Sequence, residues 1–149
     1  MTSNEHKTIV EHWMYDVFTQ GNLSILDELL APEFISTDPS GKIGAQGPEA
    51  FKKWLHWYRA SFTDAEWKIH EILDIGENVV VRYSGHTTYQ GGLLDIPTKK
   101  QRVTEMGMLI FRIHEGKIYE ICSALCDLEL VLSLGAIPVI KEGDFKEVE

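Results

Sequence analysis

Arg82, His86 and Glu105 are ionisable residues that lie inside predicted β-strands, away from the strand ends. The strands are predicted at residues 79–89 and 102–113, because both runs are rich in residue types that suit a pleated sheet. The Gly and Pro residues between them predict an irregular connection. An imidazole and a carboxyl group on neighbouring strands could transfer protons near neutral pH. His86 and Glu105 are therefore candidate acid–base residues.

Side chains alternate between the two faces of a strand, so the sequence predicts which residues share a face. One face of the first strand carries polar residues: Arg82, Ser84, His86 and Thr88. One face of the second strand carries Glu105 among small and apolar residues: Val103, Gly107, Leu109 and Phe111. A charged residue in the middle of a strand is either solvated on an open face or enclosed in a pocket. The alternation alone leaves both alternatives open.

The length and charge of the chain indicate one globular domain with a limited range of partners. Its 149 residues are enough to form a hydrophobic core without crosslinks. The net charge of −9 disfavours nucleic acids and anionic membranes. No apolar segment approaches the ~20 residues of a membrane span, and the N-terminus has no signal pattern. We therefore predict a cytoplasmic protein with no nucleic-acid or membrane partner.

The two cysteines, Cys122 and Cys126, lie four residues apart on a predicted strand. Residues at this spacing on a regular strand are about 13 Å apart, since the rise is about 3.3 Å per residue. A disulfide between them is therefore not expected. The spacing is also not that of a zinc finger, and we predict no metal site.

The order of the predicted elements, helices first and hairpin-connected strands afterwards, favours an α+β fold. The first helix has an apolar stripe at helical spacing: Val10, Trp13, Met14, Val17 and Phe18. A short second helix follows, and a third begins at Pro48 with its own stripe: Phe51, Trp54, Leu55, Tyr58 and Phe62. Residues 38–47 predict a loop, residues 67–73 and 118–125 two further strands, and residues 127–134 a last helix. We assign one domain to residues 1–140 and a charged tail to residues 141–149.

Five stretches of the chain resemble the SnoaL-like polyketide cyclases, a branch of the nuclear-transport-factor-2-like superfamily. They are QGNLSILDELLAPEF at residues 20–34, GPEAFKKW at 47–54, ENVVVRY at 77–83, IFRIHEGKIYE at 110–120 and LVLSLGAIP at 130–138. The resemblance implies a cone in which a curved, mixed or antiparallel sheet wraps around the N-terminal helices and encloses a pocket. It also implies a homodimer formed through the sheet.

The chain departs from the family pattern at positions that carry chemistry in other members. The last strand of family members commonly holds an Asp that points into the pocket or lies at the strand end. Here those positions correspond to Ser123 and Cys126, and Asp127 is one residue late. A shift of one residue places a side chain on the other face. The acid–base residues of the family therefore do not transfer directly.

The resemblance implies a ligand that is a hydrophobic, oxygenated small molecule, with no metal and no organic cofactor. The residues expected to contact it are Trp13, Phe34, Trp54, Tyr58, Ser84, Leu109, Phe111 and Ser123. His86 corresponds approximately to the position at which related epoxide hydrolases have a catalytic Asp. We predict that His86 moves a proton and forms a coupled pair with Glu105 inside the pocket, while Arg82 or Tyr15 stabilises an enolate or oxyanion.

Two functions of different classes follow from these observations. One is a cofactor-independent cyclase, isomerase or hydrolase that uses acid–base chemistry. The other is a non-catalytic module of the same fold that binds a small molecule or mediates dimerisation. The loss of the last-strand Asp favours the second function or a changed chemistry. No residue in the sequence selects a particular substrate.

Overall fold

The structure is a computed structural model that describes residues 3–135. Its helical elements are α1 (Ser3–Glu11), a π-helix (His12–Thr19), a 3₁₀ turn (Leu23–Ile25), α2 (Leu26–Leu29), α3 (Pro48–Ser61) and α4 (Asp127–Ser133). Its strands are β1 (Leu30–Thr37), β2 (Ile43–Gln46), β3 (Phe62–Ile75), β4 (Asn78–Tyr89), β5 (Arg102–His114) and β6 (Lys117–Leu125). The predicted tail at 141–149 and the end of the predicted domain lie outside the described residues.

The strands form one curved, unclosed six-stranded sheet in the order β2-β1-β6-β5-β4-β3. All neighbouring strands are antiparallel except β1 and β6, which pair in parallel. The predicted α+β class and the mixed sheet are therefore confirmed. The prediction of a loop over residues 38–47 is wrong in part, because this segment contains β2. The amide of Ala45 in β2 donates to the hydroxyl of Ser36 in β1 at 2.7 Å.

The first predicted helix is present, but its second half is wound as a π-helix. In this form the backbone bonds join residues five apart, and the side chains of such residues lie on one side of the helix. The rings of Trp13 and Phe18, five residues apart, have centroids separated by 5.5 Å. Arg59 of α3 binds the end of the π-helix, because its guanidinium donates to the carbonyls of Phe18 and Thr19 at 3.3 and 3.1 Å.

The hydrophobic core lies between the helices and one face of the sheet. Its largest fully buried residues include Trp13, Phe34, Leu55, Val79, Val81 and Phe111. Trp13 stacks on Phe51 of α3 at 5.0 Å and meets Phe111 of β5 edge to face at 5.8 Å. These contacts hold the helical layer to the sheet, since aromatic pairs add to the effect of burial. None of the described helices is both long and apolar enough to span a bilayer.

Candidate functional site

A cavity of about 870 Å³ opens between the helices and the inner face of the sheet. The helices contribute aromatic residues to its wall: Trp13, Phe18, Phe51, Trp54 and Tyr58. The sheet contributes a mixed surface: Trp67, Tyr83, Glu105, Leu109, Ile121 and Ser123. The volume is that of pockets that hold drug-sized molecules, and a largely aromatic wall suits an apolar ligand.

Glu105 of β5 is the ionisable group on the sheet side of this cavity that is most firmly held. The hydroxyl of Tyr58 on α3 lies 2.8 Å from both carboxyl oxygens and donates to them. The hydroxyl of Thr87 on β4, which is fully buried, donates to one of the same oxygens at 2.8 Å. Two donors from separate elements thus fix the position and orientation of the carboxyl group.

Glycines on the neighbouring strands make room for this arrangement. Gly85 pairs with Glu105 across the β4–β5 ladder and with Trp67 across the β3–β4 ladder. A Cβ atom at Gly85 would lie 2.3 Å from the ring of Trp67 and 2.5 Å from the carbonyl oxygen of Glu66. Only glycine therefore leaves room for the ring of Trp67 at this position.

Burial raises the pKa of Glu105 above its usual value of 4.5, and this effect outweighs the opposing effect of the hydrogen bonds from Thr87 and Tyr58. The pKa of Tyr58 is raised well above the usual value, first by burial and then by the neighbouring charge of Glu105. Tyr58 therefore remains a neutral phenol that donates. The result is a carboxyl group whose proton is held more tightly than that of an exposed glutamate.

Tyr83 of β4 is a second polar residue on the same wall. Burial is the largest cause of the raised pKa of its hydroxyl, followed by the charges of Glu105, Cys126 and Asp127. Its ring meets Trp67 edge to face at 5.6 Å. Tyr83 and Thr87 were not among the site residues predicted from the sequence. A usable signal was present, because both share a strand face with the apolar residues Val79 and Val81.

The structure corrects the predicted position of His86. Its side chain is exposed on the outer face of the sheet, where Nδ1 lies 3.4 Å from the hydroxyl of Thr104. In the ladder, His86 pairs with Thr104 whereas Glu105 pairs with Gly85. Since alternate residues of a strand point to opposite faces, His86 and Glu105 lie on opposite sides of the sheet. The predicted coupled pair between them is wrong.

Arg82 and Ser84 share the outer face with His86, so their predicted positions in the pocket are also wrong. The guanidinium of Arg82 is exposed and forms an ion pair with Glu71 at 3.4 Å. The hydroxyl of Ser84 lies 2.6 Å from Nε2 of His70. Tyr15 is likewise outside the cavity, because the side chain of this π-helix residue is 38% exposed and lines a separate surface groove beside β3.

The remaining residues predicted to contact a ligand divide into two groups. The cavity wall includes Trp13, Trp54, Tyr58, Leu109 and Ser123. Phe34 and Phe111 are fully buried in the core and do not reach the cavity, which corrects their predicted role. They contact residues of the wall instead: Phe111 meets the ring of Trp13, and Phe34 meets the ring of Phe51.

Loops and strand ends surround the mouth of the cavity. The β1–β2 connection contributes Asp38 and Lys42, and the end of β6 with the start of α4 contributes Cys126 and Asp127. The carboxylate of Asp38 accepts from the amide of Ser40 at 2.8 Å and from the amide of Lys42 at 3.1 Å. These contacts stabilise the turn. Both cysteines are free thiols. No cluster of side chains suited to hold a metal ion occurs within residues 4–135.

A model of the SnoaL-like domain matches residues 10–121. The chain belongs to this SnoaL-like family, and its structural neighbours share the nuclear-transport-factor-2-like fold. The comparison with curated proteins found no match.

Three solved structures illustrate the likeness. AclR from Streptomyces galilaeus, a candidate hydroxylase, has a TM-score of 0.83 and 18% identity, over 95% of this chain and 91% of that one. TsrD from Streptomyces laurentii has a TM-score of 0.81 and 21% identity, over 92% and 99%. A candidate SnoaL-like polyketide cyclase from Jannaschia sp. CCS1 has a TM-score of 0.80 and 20% identity, over 91% and 94%. At these identities the likeness shows the fold alone.

Proposed function

We propose that this protein binds a hydrophobic, oxygenated small molecule in the cavity and transfers a proton to or from it through Glu105. The observation that carries the proposal is the carboxyl group of Glu105, set into a mostly aromatic wall and held by the hydroxyls of Tyr58 and Thr87. The reaction class is a cyclisation, isomerisation or hydrolysis that needs no organic cofactor or metal.

Acid–base catalysis requires a group that can exist in both protonation states near the working pH. Burial moves the pKa of Glu105 in that direction from its usual value of 4.5. The donor hydroxyls stabilise the carboxylate form, while the apolar surroundings favour the protonated form. Glu105 is thus suited to accept a proton from a bound ligand and to return it at another atom.

The aromatic wall supports a ligand with at least two fused rings. Trp54 and Tyr58 stack with ring centroids 5.3 Å apart, and Trp54 is 41% exposed toward the open space and the surface. A flat apolar molecule would cover this surface, which otherwise faces water. One structural neighbour, from Jannaschia sp. CCS1, is named as a candidate polyketide cyclase, and that name is consistent with a ligand of this kind.

The test uses a bicyclic ketone, 2-tetralone, together with a panel of related bicyclic and tricyclic carbonyl compounds. Binding is measured by the change in tryptophan fluorescence, since Trp13, Trp54 and Trp67 line the cavity. Proton transfer is measured by NMR as the exchange of hydrogen for deuterium at the carbon next to the carbonyl. Glu105→Gln is expected to retain binding and to lower the exchange rate by about 10²–10⁴. Glu28→Gln, at an exposed position on α2, is the matched control.

The alternative function is a non-catalytic binding module. It is favoured by Ser123, which lines the cavity at a position that corresponds to an acidic residue in other family members. This alternative predicts that panel members bind the wild type while their exchange rate equals that of Glu105→Gln. If no member of the panel binds, both functions are contradicted.

We further propose that the protein acts as a homodimer through the outer face of the sheet. This face carries Met108, which is 51% exposed, with the partly buried Val80 and Ile110 beside it. For the wild type, light scattering is expected to give twice the mass of one chain. For Met108→Glu it is expected to give the mass of a single chain. A single-chain mass for the wild type would contradict the proposal.

The two free cysteines support a reducing, cytoplasmic location.

A further inference from the structure

The hydroxyl of Tyr83 has no hydrogen-bond partner within residues 4–135, although Tyr83 lines the same cavity as Glu105. In this part of the chain, Nε1 of Trp67 is the polar side-chain atom that is both fully buried and unpaired. The hydroxyl of Tyr83 is unpaired too, but it is not fully buried. It is therefore accessible from the cavity that Tyr83 lines. A phenol that is mostly enclosed by protein and still free to donate is suited to bind an oxygen atom of a ligand.

The pairing of β4 with β5 brings Tyr83 and Glu105 to the same face. Tyr83 pairs with Gly107, and Gly85 pairs with Glu105, so each large polar residue faces a glycine across the ladder. The two side chains are diagonal neighbours, which on antiparallel strands lie within reach of one another. A Cβ atom at Gly107 would lie 2.6 Å from the carbonyl oxygen of Ala124. The close approach of β6 therefore requires glycine there.

We propose that Tyr83 is a second catalytic residue, which donates its hydrogen bond to the carbonyl oxygen of the substrate while Glu105 removes a proton from the adjacent carbon. The substrate class is then a ketone or ester with an acidic C–H bond next to the carbonyl. This inference rests on the proposed function of Glu105 and assigns the oxyanion role, expected from the sequence at Arg82 or Tyr15, to a different residue.

The step balances without another reactant. The C–H bond breaks, its proton forms the O–H bond of Glu105, and the electron pair forms a C=C bond as the carbonyl oxygen becomes negative. Tyr83 donates to that oxygen, whose charge is greater in the enolate than in the ketone. The hydrogen bond therefore strengthens as the reaction proceeds, which is the condition for catalysis. The protonated Glu105 then returns the proton to another carbon or to an alkoxide.

Tyr83 remains a donor over the whole range in which Glu105 titrates. Burial, followed by the charge of Glu105, raises the pKa of the phenol. The other polar groups on the wall are less suited. The hydroxyl of Tyr58 already donates to Glu105, and Nε1 of Trp67 is fully buried. Ser123 of β6 is another hydroxyl on the sheet side of the wall, and it serves as a comparison in the test.

The experiment compares Tyr83→Phe with Ser123→Ala and Tyr15→Phe in the deuterium exchange of 2-tetralone and the same panel. Tyr15→Phe removes a phenol that lies outside the cavity and is the matched control. We expect Tyr83→Phe to lower the exchange rate constant of the bound ketone by about 10²–10³, as for loss of one oxyanion donor, with a small change in KM. Tyr15→Phe is expected to stay within about threefold of the wild type, and Ser123→Ala is expected to lower the rate constant far less than Tyr83→Phe does, since neither loses the proposed donor.

A second measurement tests the hydrogen bond in the wild type directly. The infrared stretch of the ketone carbonyl is expected at lower frequency when bound to the wild type than in a hydrocarbon solvent, because hydrogen bonding weakens the C=O bond. It is expected to move back in Tyr83→Phe. A stretch in the wild type as high as in the hydrocarbon solvent would overturn the inference even if Tyr83→Phe failed to fold.

The outcomes separate this inference from the function on which it rests. If Glu105→Gln abolishes exchange while Tyr83→Phe matches Tyr15→Phe, Tyr83 has no catalytic role and the function of Glu105 stands. A large effect of Ser123→Ala instead would assign the donor to β6 and overturn the role of Tyr83. If Glu105→Gln exchanges at the wild-type rate, the proposed function itself fails, and this inference fails with it.

Discussion

Replacing Tyr58 by Phe removes one hydroxyl group and leaves the aromatic packing in place. The ring of Tyr58 stacks between Trp54 and Phe62, with centroids 5.3 Å from each, and a phenylalanine ring can keep both contacts. The hydroxyl lies 2.8 Å from both oxygens of Glu105. The substitution therefore isolates the hydrogen bond between Tyr58 and Glu105 from the packing of α3.

The expected cost depends on pH because the strength of this bond depends on the charge of Glu105. A hydrogen bond to a charged group contributes about 1.5–3 kcal/mol, and one between neutral groups about 0.5–1.5 kcal/mol. Thr87 still donates after the substitution, and the cavity gives the freed oxygen access to water, so the low end of each range applies. We expect the substitution to lower the free energy of unfolding by about 1.5 kcal/mol when Glu105 is charged and about 0.5 kcal/mol when it is neutral.

The sign of the pH dependence follows from linkage. Removing a donor to the carboxylate raises the pKa of Glu105 further in the folded state. A raised pKa gives stability that is present below the unfolded value and is lost as pH rises through the folded value. The difference in stability between wild type and Tyr58→Phe should therefore grow as pH rises above 4.5, the usual pKa of a glutamate.

Urea denaturation followed by circular dichroism, at one pH below 4.5 and at one mildly alkaline pH, measures this difference. A double-mutant cycle with Glu105→Gln isolates the pairwise contribution. Tyr15→Phe, which removes an exposed phenol on the π-helix, is the control. An equal cost at both pH values, or an equal cost in the Glu105→Gln background, would refute the assignment of the bond to a charged carboxyl.

Three further predictions follow from the same geometry. Because burial raises the pKa of Glu105, the stability of the wild type relative to Glu105→Gln should fall as pH rises above 4.5, and a constant difference in urea titrations would contradict this. Gly85→Ala should lower the free energy of unfolding by about 1–3 kcal/mol, since the new methyl group would lie 2.3 Å from the ring of Trp67. Urea midpoints equal to those of the wild type would show that the indole can shift without cost. His86→Ala should change stability by less than about 0.5 kcal/mol and leave deuterium exchange unchanged, because His86 lies on the outer face. Loss of exchange in this variant would contradict that position.

The residues that share a face of each strand were predictable from the sequence, but alternation alone does not say which face is buried. Alternation correctly separated Arg82 and His86 from Tyr83 and Thr87. The set with Tyr83 also contains Val79 and Val81, and this hydrophobic pattern favours it as the buried side. The resemblance to other enzymes directed attention to His86 instead. Hydrophobic periodicity was therefore the better guide to the position of the site.

The contacts of Glu105 could not be derived from the sequence. They depend on the register between β4 and β5, and a connection too long for a tight turn leaves that register undetermined. They also depend on Tyr58, whose helix reaches the sheet through tertiary packing. The π-helix and β2 were also not predicted, each for a local reason. The apolar spacing of residues 10–18 fits an α-helix equally well, and β2 has only four residues.

The parallel pairing of β1 with β6 has a consequence for the order in which the molecule folds. Thr37 pairs with Cys122, and its hydroxyl donates to Glu120 at 3.1 Å across a separation of 83 residues. Contacts so distant along the chain close a large loop and form slowly compared with hairpins such as β3–β4. During synthesis, the side of the cavity mouth built from the end of β1 cannot assemble until β6 has left the ribosome. The ligand-accessible opening is therefore expected to be a late product of folding, formed after the β3–β4 hairpin.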